Sequence, residues 1–244
     1  MACLPGTRTT ILSVIHAWAR SLDGQNVLWL KGVAGSGKSA IAHTIAQSLR
    51  KDGRLASSFF FDRNTTSRNT SHLLVTTIAR DIAMIHPAIA ADIRTTLEED
   101  PSLASASLSR QFEAFLSGPL RRHPIEHSFV IVIDALDEII HEDSTIELLK
   151  ILRDEASKLP SQIRILVTSR PTRDIIDYLS KQSHIVSHVI DIASVENGQD
   201  IEAYIGHQLR DPILHKRMGS PHSTEVLVRD LTNLAGGLFI WIVT

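Results

Sequence analysis

The sequence predicts an α/β fold in which a parallel sheet carries helices on both faces. Three short, mostly apolar runs at residues 27–30, 129–133 and 163–168 have the length of buried strands. Segments with helical periodicity separate these runs, and strands that alternate with helices along a chain favour parallel pairing. The first run leads into a glycine-rich loop, which is typical of a phosphate-binding turn between a strand and a helix.

Length and composition fit this class and exclude several others. A chain of 244 residues, 43% of them hydrophobic, allows one large α/β domain or a domain with a fragment of another. The net charge of −2 indicates neither nucleic-acid binding nor binding to an acidic membrane. The single cysteine, Cys3, excludes intrachain disulfide bonds. Because no apolar run has membrane-spanning length and no signal-peptide pattern occurs, we expect a cytoplasmic protein.

The individual elements follow from periodicity and from residues that cap or break helices. Asp52-Gly53 breaks the helix that follows the glycine-rich loop, and Ser144 is expected to cap a later one. The predicted strands lie at 27–30, 56–61, 129–133, 163–168 and 185–190. The predicted helices lie at about 9–22, 38–51, 71–85, 87–98, 108–120, 144–159, 173–181, 199–210 and 226–234.

The segment at 27–41, VLWLKGVAGSGKSAI, contains the phosphate-binding pattern G-x-x-x-x-G-K-[ST]. Glycines permit a backbone in which successive N–H groups turn inward around an anion, and the following helix adds the partial positive charge of its N-terminus. Lys38 is expected to reach the β- and γ-phosphates of a nucleotide, and the Ser39 hydroxyl to bind Mg²⁺. The residues expected to contact the nucleotide in this loop are Gly32, Val33, Ala34, Gly35, Ser36, Gly37, Lys38, Ser39 and Ala40.

The second stretch whose residues are candidates for binding or catalysis is FVIVIDALDE at 129–138. Asp134 ends a buried apolar run, as in the Walker B pattern, where a carboxylate at the carboxyl end of a strand beside the P-loop holds Mg²⁺. Asp137 and Glu138 lie just beyond it. One of these two acids is expected to orient or deprotonate the water that attacks the γ-phosphate, and the sequence leaves both open.

The third stretch is IRILVTSRP at 163–171. Thr168, Ser169 and Arg170 end its strand and are expected to aim two hydroxyls and a guanidinium at the same phosphate. Arginine suits this role because it is always charged and binds phosphate oxygens in a fork. The alternative interpretation is a hydroxyl residue that caps a helix, followed by a surface arginine.

These three stretches together resemble the NACHT family of STAND-class signalling NTPases, in the form found in large fungal multidomain proteins and nephrocystin-like proteins. The resemblance is carried by GVAGSGKSAI at 32–41, VIDALDEI at 132–139 and LVTSRP at 166–171. CLPGTR at 3–8 is similar to the segment that precedes the P-loop strand in this group, so Arg8 would lie near the adenine or ribose. Related switch ATPases have a glycine-leucine-proline segment that reaches the nucleotide. Here GGLF at 236–239 puts Phe239 in place of the proline.

The resemblance implies a three-layer P-loop NTPase sandwich with a five-stranded parallel sheet of order 5-1-4-3-2. It implies that Lys38 and Ser39 bind phosphate and Mg²⁺ and that Asp134 is the Mg²⁺ carboxylate. It further implies that Asp137 or Glu138 orients the water and that Arg170 senses the γ-phosphate. The expected organisation is a leading segment and helix at 1–24, an NTPase core at 25–193, and a helical extension at 194–244 that begins a truncated helical or winged-helix region.

The function implied by the resemblance is a Mg·ATP/ADP switch with slow hydrolysis. ADP would hold a closed monomer, and ATP would permit an open form that forms homo-oligomers, with effector and sensor domains lying outside this chain. A turnover ATPase or kinase-like enzyme is one alternative, although no arginine-rich lid or acceptor pocket can be identified. A GTPase is disfavoured because no N-K-x-D signature occurs. A degenerate nucleotide-binding scaffold is the other alternative, and the complete P-loop and acids argue against it.

Overall fold

Across residues 2–66, 68–139, 143–210 and 224–240, which a computed structural model describes, the protein folds around a five-stranded parallel sheet. Its strands are β1 Val27–Lys31, β2 Leu55–Phe60, β3 Phe129–Asp134, β4 Ile163–Ser169 and β5 Ile185–Val189. They lie in the order β2-β3-β4-β1-β5, which is the expected order 5-1-4-3-2 viewed from the other edge. The predicted fold class and strand order are therefore confirmed.

Helices connect the strands and cover both faces of the sheet. They are α1 Thr9–Arg20, α2 Lys38–Lys51, α3 His72–Ile85, α4 Pro87–Glu99, α5 Leu108–Phe112, α6 Gly118–Arg122, α7 Asp143–Lys150, α8 Arg173–Leu179, α9 Val195–Gln208 and α10 Thr224–Ala235. A π-helical turn, Glu113–Ser117, joins α5 to α6, and another, Ile151–Glu155, extends α7. Short 3₁₀ segments lie at Pro101–Ser105, Leu136–Ile139 and Ala156–Lys158.

Two hydrophobic layers, one on each side of the sheet, explain why the central strands are apolar without alternation. On β1, Leu28 and Leu30 pack with α1 and α2, whereas Val27 and Trp29 pack with the layer that contains α3 and α5. All four side chains are buried. Side chains alternate between the faces of a strand, so a strand covered on both sides must be apolar at every position.

Several helix boundaries differ from the predictions by a few residues. Helix α1 ends at Arg20, two residues before the predicted end, and Leu22 is 59% exposed beyond it. Helix α7 begins at Asp143, within one residue of the predicted start at 144. The side chain of Ser144 lies outside the described part of the chain, so its cap stays a prediction.

Helices α9 and α10 form a small layer of their own beyond β5. Ile201 and Ile205 of α9 pack with Val228 and Ala235 of α10 in a separate hydrophobic cluster. Helix α9 begins four residues before the predicted start at 199, since the Ser194 hydroxyl caps it by accepting a hydrogen bond from a backbone N–H at 3.2 Å. No helix among the described residues is both long and apolar enough to cross a membrane.

Candidate functional site

The three motifs meet at one edge of the sheet. Lys31 at the end of β1 pairs with Ser169 at the end of β4, and Ile133 of β3 pairs with Val167 of β4. Parallel strands end at the same edge, and ligands of open α/β sheets bind outside those carboxyl ends. The P-loop, the acids at 134–138 and the segment at 168–170 are therefore neighbours, as the strand order implied by the resemblance predicts.

The loop between β1 and α2 wraps around the side chain of Lys38. Its backbone is left-handed at Gly35, with φ of 75°, and at Gly37, with φ of 89°. Residues with a Cβ adopt this region only at a cost of about 1–2 kcal/mol. The Lys38 Nζ donates hydrogen bonds to the carbonyl oxygens of Gly32 at 2.8 Å and Val33 at 2.9 Å. The ammonium is thus held inside the loop at the N-terminus of α2.

The electrostatic surroundings of Lys38 favour an anionic ligand. Burial is the largest influence and lowers the pKa of this lysine, and the positive charge of Arg170 lowers it as well. The carboxylates of Asp137 and Asp134 act in the opposite direction. A buried ammonium whose charged form is disfavoured gains stability when an anion arrives beside it.

Asp134 is held by the neighbouring strand. It is 3% exposed at the end of β3, and the Thr168 hydroxyl donates a hydrogen bond to its Oδ1 at 2.5 Å. The same hydroxyl accepts a hydrogen bond from the Ala135 N–H at 3.1 Å, where the backbone is left-handed. Thr168 is fully buried by these contacts. It therefore supports Asp134 instead of aiming its hydroxyl at a phosphate, which corrects the prediction for this residue.

Ser169 departs from the prediction in the same way. Its hydroxyl accepts a hydrogen bond from the indole Nε1 of Trp29 at 2.8 Å, and its side chain is fully buried. Both hydroxyls are used inside the sheet, since the side chains of a strand buried on both faces point into its covering layers. Only Arg170, the first residue after β4, extends into the space at the sheet edge.

The two acids that the sequence could not rank have different partners. Asp137 accepts a hydrogen bond from the backbone N–H of Arg170 at 2.9 Å and forms an ion pair with its Nε at 3.1 Å. Glu138 accepts one from the backbone N–H of Arg63 at 3.0 Å. Both acids lie on the 3₁₀ segment that follows β3. This segment therefore presents one carboxylate that is bound to an arginine side chain and one that is bound to a backbone amide.

Arg8 connects the N-terminal segment, the P-loop and the C-terminal helices. It is 7% exposed, and a terminal guanidinium nitrogen donates to the Ser36 carbonyl at 2.8 Å. Its backbone N–H donates to Asp200 Oδ2 at 3.0 Å, and its Nε lies 3.8 Å from the same oxygen. Its guanidinium also lies 4.8 Å from the centre of the Phe239 ring. Arg8 therefore lies beside the P-loop, which is compatible with its expected place near a base or ribose.

The segment at 236–239 returns to the P-loop as the resemblance implies, although Phe239 replaces the proline. The Phe239 N–H donates to the Gly35 carbonyl at 2.9 Å. Asn197 of α9 holds this segment by donating to the Gly237 carbonyl at 2.9 Å. Sequence reasoning missed Asn197, Asp200 and Tyr204, because their contacts to the site come only from the tertiary fold and no local motif marks them.

A cavity of about 310 Å³ lies between these groups. One wall, which we call the phosphate side, consists of the P-loop with Asp137, Glu138 and Arg170. The other lining residues, which we call the closing side, come from the segment 2–8, from Tyr204 of α9, and from Phe239 and Ile240. The predicted site residues that line the cavity are Arg8, Ala34, Gly35, Gly37, Lys38, Ser39, Ala40, Asp137, Glu138 and Arg170. Gly32, Val33, Ser36, Asp134 and Thr168 do not line the cavity: Val33 is exposed, and the other four are buried.

The residues present fit a nucleotide with its metal ion. The Ser36 hydroxyl is fully buried and has no hydrogen-bond partner among the described residues, as expected of a loop shaped around an absent anion. A Cβ on Gly32 would lie only 2.7 Å from that hydroxyl, so a side chain there would force Ser36 to move. The hydroxyl of Ser39 and the carboxylate of Asp134 are hard oxygen ligands of the kind that Mg²⁺ prefers.

Comparison with known families gives a match over most of the chain. The family model described as "Nephrocystin 3, N-terminal" matches residues 6–170, which include all three motifs and most of the sheet. No protein of curated function matches the sequence significantly.

Solved structures with the same fold include two ATPases. A Walker-type ATPase of Pyrococcus abyssi has a TM-score of 0.54 and 13% identity to this chain. The match covers 94% of this chain and 64% of the ATPase. A STAND protein with a tetratricopeptide-repeat sensor from Pyrococcus horikoshii has a TM-score of 0.53 and 12% identity, covering 98% and 29%. The ORC1 protein of Aeropyrum pernix, solved in complex with DNA, has a TM-score of 0.51 and 17% identity, covering 97% and 60%. This chain thus spans less than two thirds of each of these proteins.

Proposed function

The chain belongs to the Nephrocystin 3, N-terminal family, and we propose from this membership and the site geometry that it is a Mg·ATP/ADP-binding switch domain with slow hydrolysis. It is a NACHT-like P-loop NTPase of the nephrocystin-like type. The observation that carries the proposal is the convergence of Lys38, Arg170 and two acids on one cavity at the N-terminus of α2.

In this proposal the backbone N–H groups of the P-loop and the Lys38 ammonium bind the phosphate oxygens. The ammonium exchanges its hydrogen bonds to the Gly32 and Val33 carbonyls for bonds to the β- and γ-phosphates. Charged hydrogen bonds of this kind contribute about 1.5–3 kcal/mol each. Ser39 and Asp134 would hold Mg²⁺, which when bound neutralises charge on the phosphate oxygens.

The closing side accounts for the switch in this proposal. Arg8, Phe239 and Tyr204 line the closing side of the cavity, where a base and ribose would lie. The same residues connect the N-terminal segment to helix α9 and to the segment that follows α10. A diphosphate bound under these contacts would stabilise a closed monomer, and an ATP-bound form of a longer chain would open and assemble.

Calorimetric titration with Mg·ADP, Mg·ATP and Mg·GTP tests the proposal. We expect both adenine nucleotides to bind, GTP to bind more weakly, and hydrolysis to be slower than about one turnover per second, the lower end of the kinase range. Faster turnover would favour the enzyme alternative. No measurable binding of any of the three nucleotides would contradict the proposal.

A further inference from the structure

Asp137 binds Arg170 through both oxygens of its carboxylate. Oδ1 accepts the backbone N–H of Arg170 at 2.9 Å, and Oδ2 lies 3.1 Å from its Nε. The aspartate side chain is 6% exposed, whereas the arginine side chain is 49% exposed. The acid is therefore the fixed partner, and it restrains a guanidinium that is otherwise open to the cavity.

Glu138 has none of these restraints. It accepts a single backbone hydrogen bond, from Arg63 at 3.0 Å, and forms no ion pair among the residues that the structure describes. It lines the same cavity as Lys38 and Ser39. A carboxylate that contacts no cation and borders the phosphate side is the better placed of the two acids to orient a water molecule.

We propose that Asp137 is a positioning residue that restrains Arg170 and thereby reduces the preference of the site for a triphosphate over a diphosphate, while Glu138 orients the attacking water. This inference rests on the proposed function. A γ-phosphate would share the cavity with the Asp137 carboxylate, which repels it, and would compete with that carboxylate for the same guanidinium. A diphosphate lacks the competing group, so the pair between Asp137 and Arg170 persists when it is bound.

The decisive variant is Asp137→Asn. Its amide oxygen can still accept the Arg170 backbone N–H, so the turn is preserved while the negative charge is removed. We expect the affinity for Mg·AMP-PNP relative to Mg·ADP to rise about tenfold. A merely structural role would weaken both ligands together. Melting of the nucleotide-free variant checks its folding, and Asp137→Ser replaces it if the asparagine variant does not fold.

Two further variants complete the experiment. Glu138→Gln should lower hydrolysis at least a hundredfold without raising the relative affinity for Mg·AMP-PNP. The matched control is Asp177→Asn, which removes a carboxylate beside another arginine, Arg173, on the exposed surface of α8. It should change neither quantity. In an Arg170→Ala background, Asp137→Asn should raise the relative affinity less, because no guanidinium remains to be released.

The outcomes separate this inference from the function on which it rests. If wild type binds neither nucleotide, the proposed function is wrong and the role of Asp137 falls with it. If wild type binds both but Asp137→Asn leaves the affinity ratio unchanged, only the restraint on Arg170 is refuted. If Asp137→Asn also abolishes hydrolysis, Asp137 is the acid that contacts the water and the assignment to Glu138 is overturned.

Discussion

The phosphate side and the closing side of the cavity are held together in different ways. On the phosphate side each group follows a strand, and neighbouring strands fix it, as Thr168 of β4 fixes Asp134 of β3. On the closing side the principal contact joins Arg8 to Asp200, which are 192 positions apart, and no strand pairing connects them. The comparison indicates a rigid frame for the phosphates and a separable contact over the rest of the nucleotide.

The largest stability effect is expected from Arg8→Ala, on the closing side. This substitution removes the guanidinium beside the buried Asp200, whose pKa burial already raises. Breaking a buried ion pair costs about 3–5 kcal/mol, and we expect about 3 because the backbone N–H of residue 8 still binds Asp200. Unfolding in urea measures the loss, and hydrogen exchange should rise in α9 and α10 but not in β1.

The exposed pair of Arg20 and Asp52, at 3.4 Å, supplies the control for this experiment. Arg20→Ala should cost less than about 0.5 kcal/mol, as surface pairs usually do. The double variant Arg8→Ala/Asp200→Ala should lose less stability than the two single losses added together, since neither charge is left buried alone. Strict additivity would show that the pair does not join the two regions.

A smaller effect is expected from Thr168→Val, on the phosphate side. The substitution keeps the shape of the side chain but leaves the Asp134 carboxylate and the Ala135 N–H without their partner. An unsatisfied buried polar group costs about 1–3 kcal/mol, so we expect a loss of about 2. Mg²⁺-dependent nucleotide binding should weaken as well, because Asp134 loses its fixed orientation.

Thr95→Val is the matched substitution on the exposed face of α4, where the hydroxyl bonds only to the backbone of its own helix. It should change stability by less than about 0.5 kcal/mol. Equal losses for the two threonine variants would mean that the hydroxyl of Thr168 does not support Asp134, and the contrast between the two sides would lose its basis.

The smallest effect concerns the pH dependence of Lys38. Burial lowers the pKa of this lysine below its ordinary value of 10.5. The unfolded chain therefore binds more protons between the folded pKa and 10.5, so the stability of the nucleotide-free wild type relative to Lys38→Met should rise with pH in this window. Nucleotide affinity should fall in the same window, because the ammonium is lost. An affinity that stays constant up to pH 10.5 would refute the phosphate contact of Lys38.

The difference between the two sides also explains what the sequence could predict. A P-loop is a continuous segment, so a motif of eight residues that contains Gly32, Lys38 and Ser39 is enough to predict its geometry. The contact of Asp200 with Arg8 depends on how α9 packs, and nothing near residue 200 in the sequence encodes it. The direction of the Thr168 hydroxyl depends on the layers that cover the two faces of β4. The spacing of the motifs along the chain does not specify those layers.

The adjacent acids illustrate the same limit at shorter range. Asp137 and Glu138 are neighbours of similar chemistry, so spacing from Asp134 cannot distinguish them. Their partners come from different loops, Arg170 after β4 and Arg63 after β2, and only the folded sheet brings those loops to the same place.

Melting with and without Mg·ADP tests the central claim most directly, using wild type, Lys38→Ala and Lys51→Ala. Lys51 lies exposed at the other end of α2 and is the matched control. At a thousand times the dissociation constant a ligand stabilises the fold by about 4 kcal/mol, or about 10 °C for a chain of this size. We predict that shift for wild type and Lys51→Ala and almost none for Lys38→Ala. An unchanged wild-type melting temperature, or an equal shift in Lys38→Ala, would contradict the account.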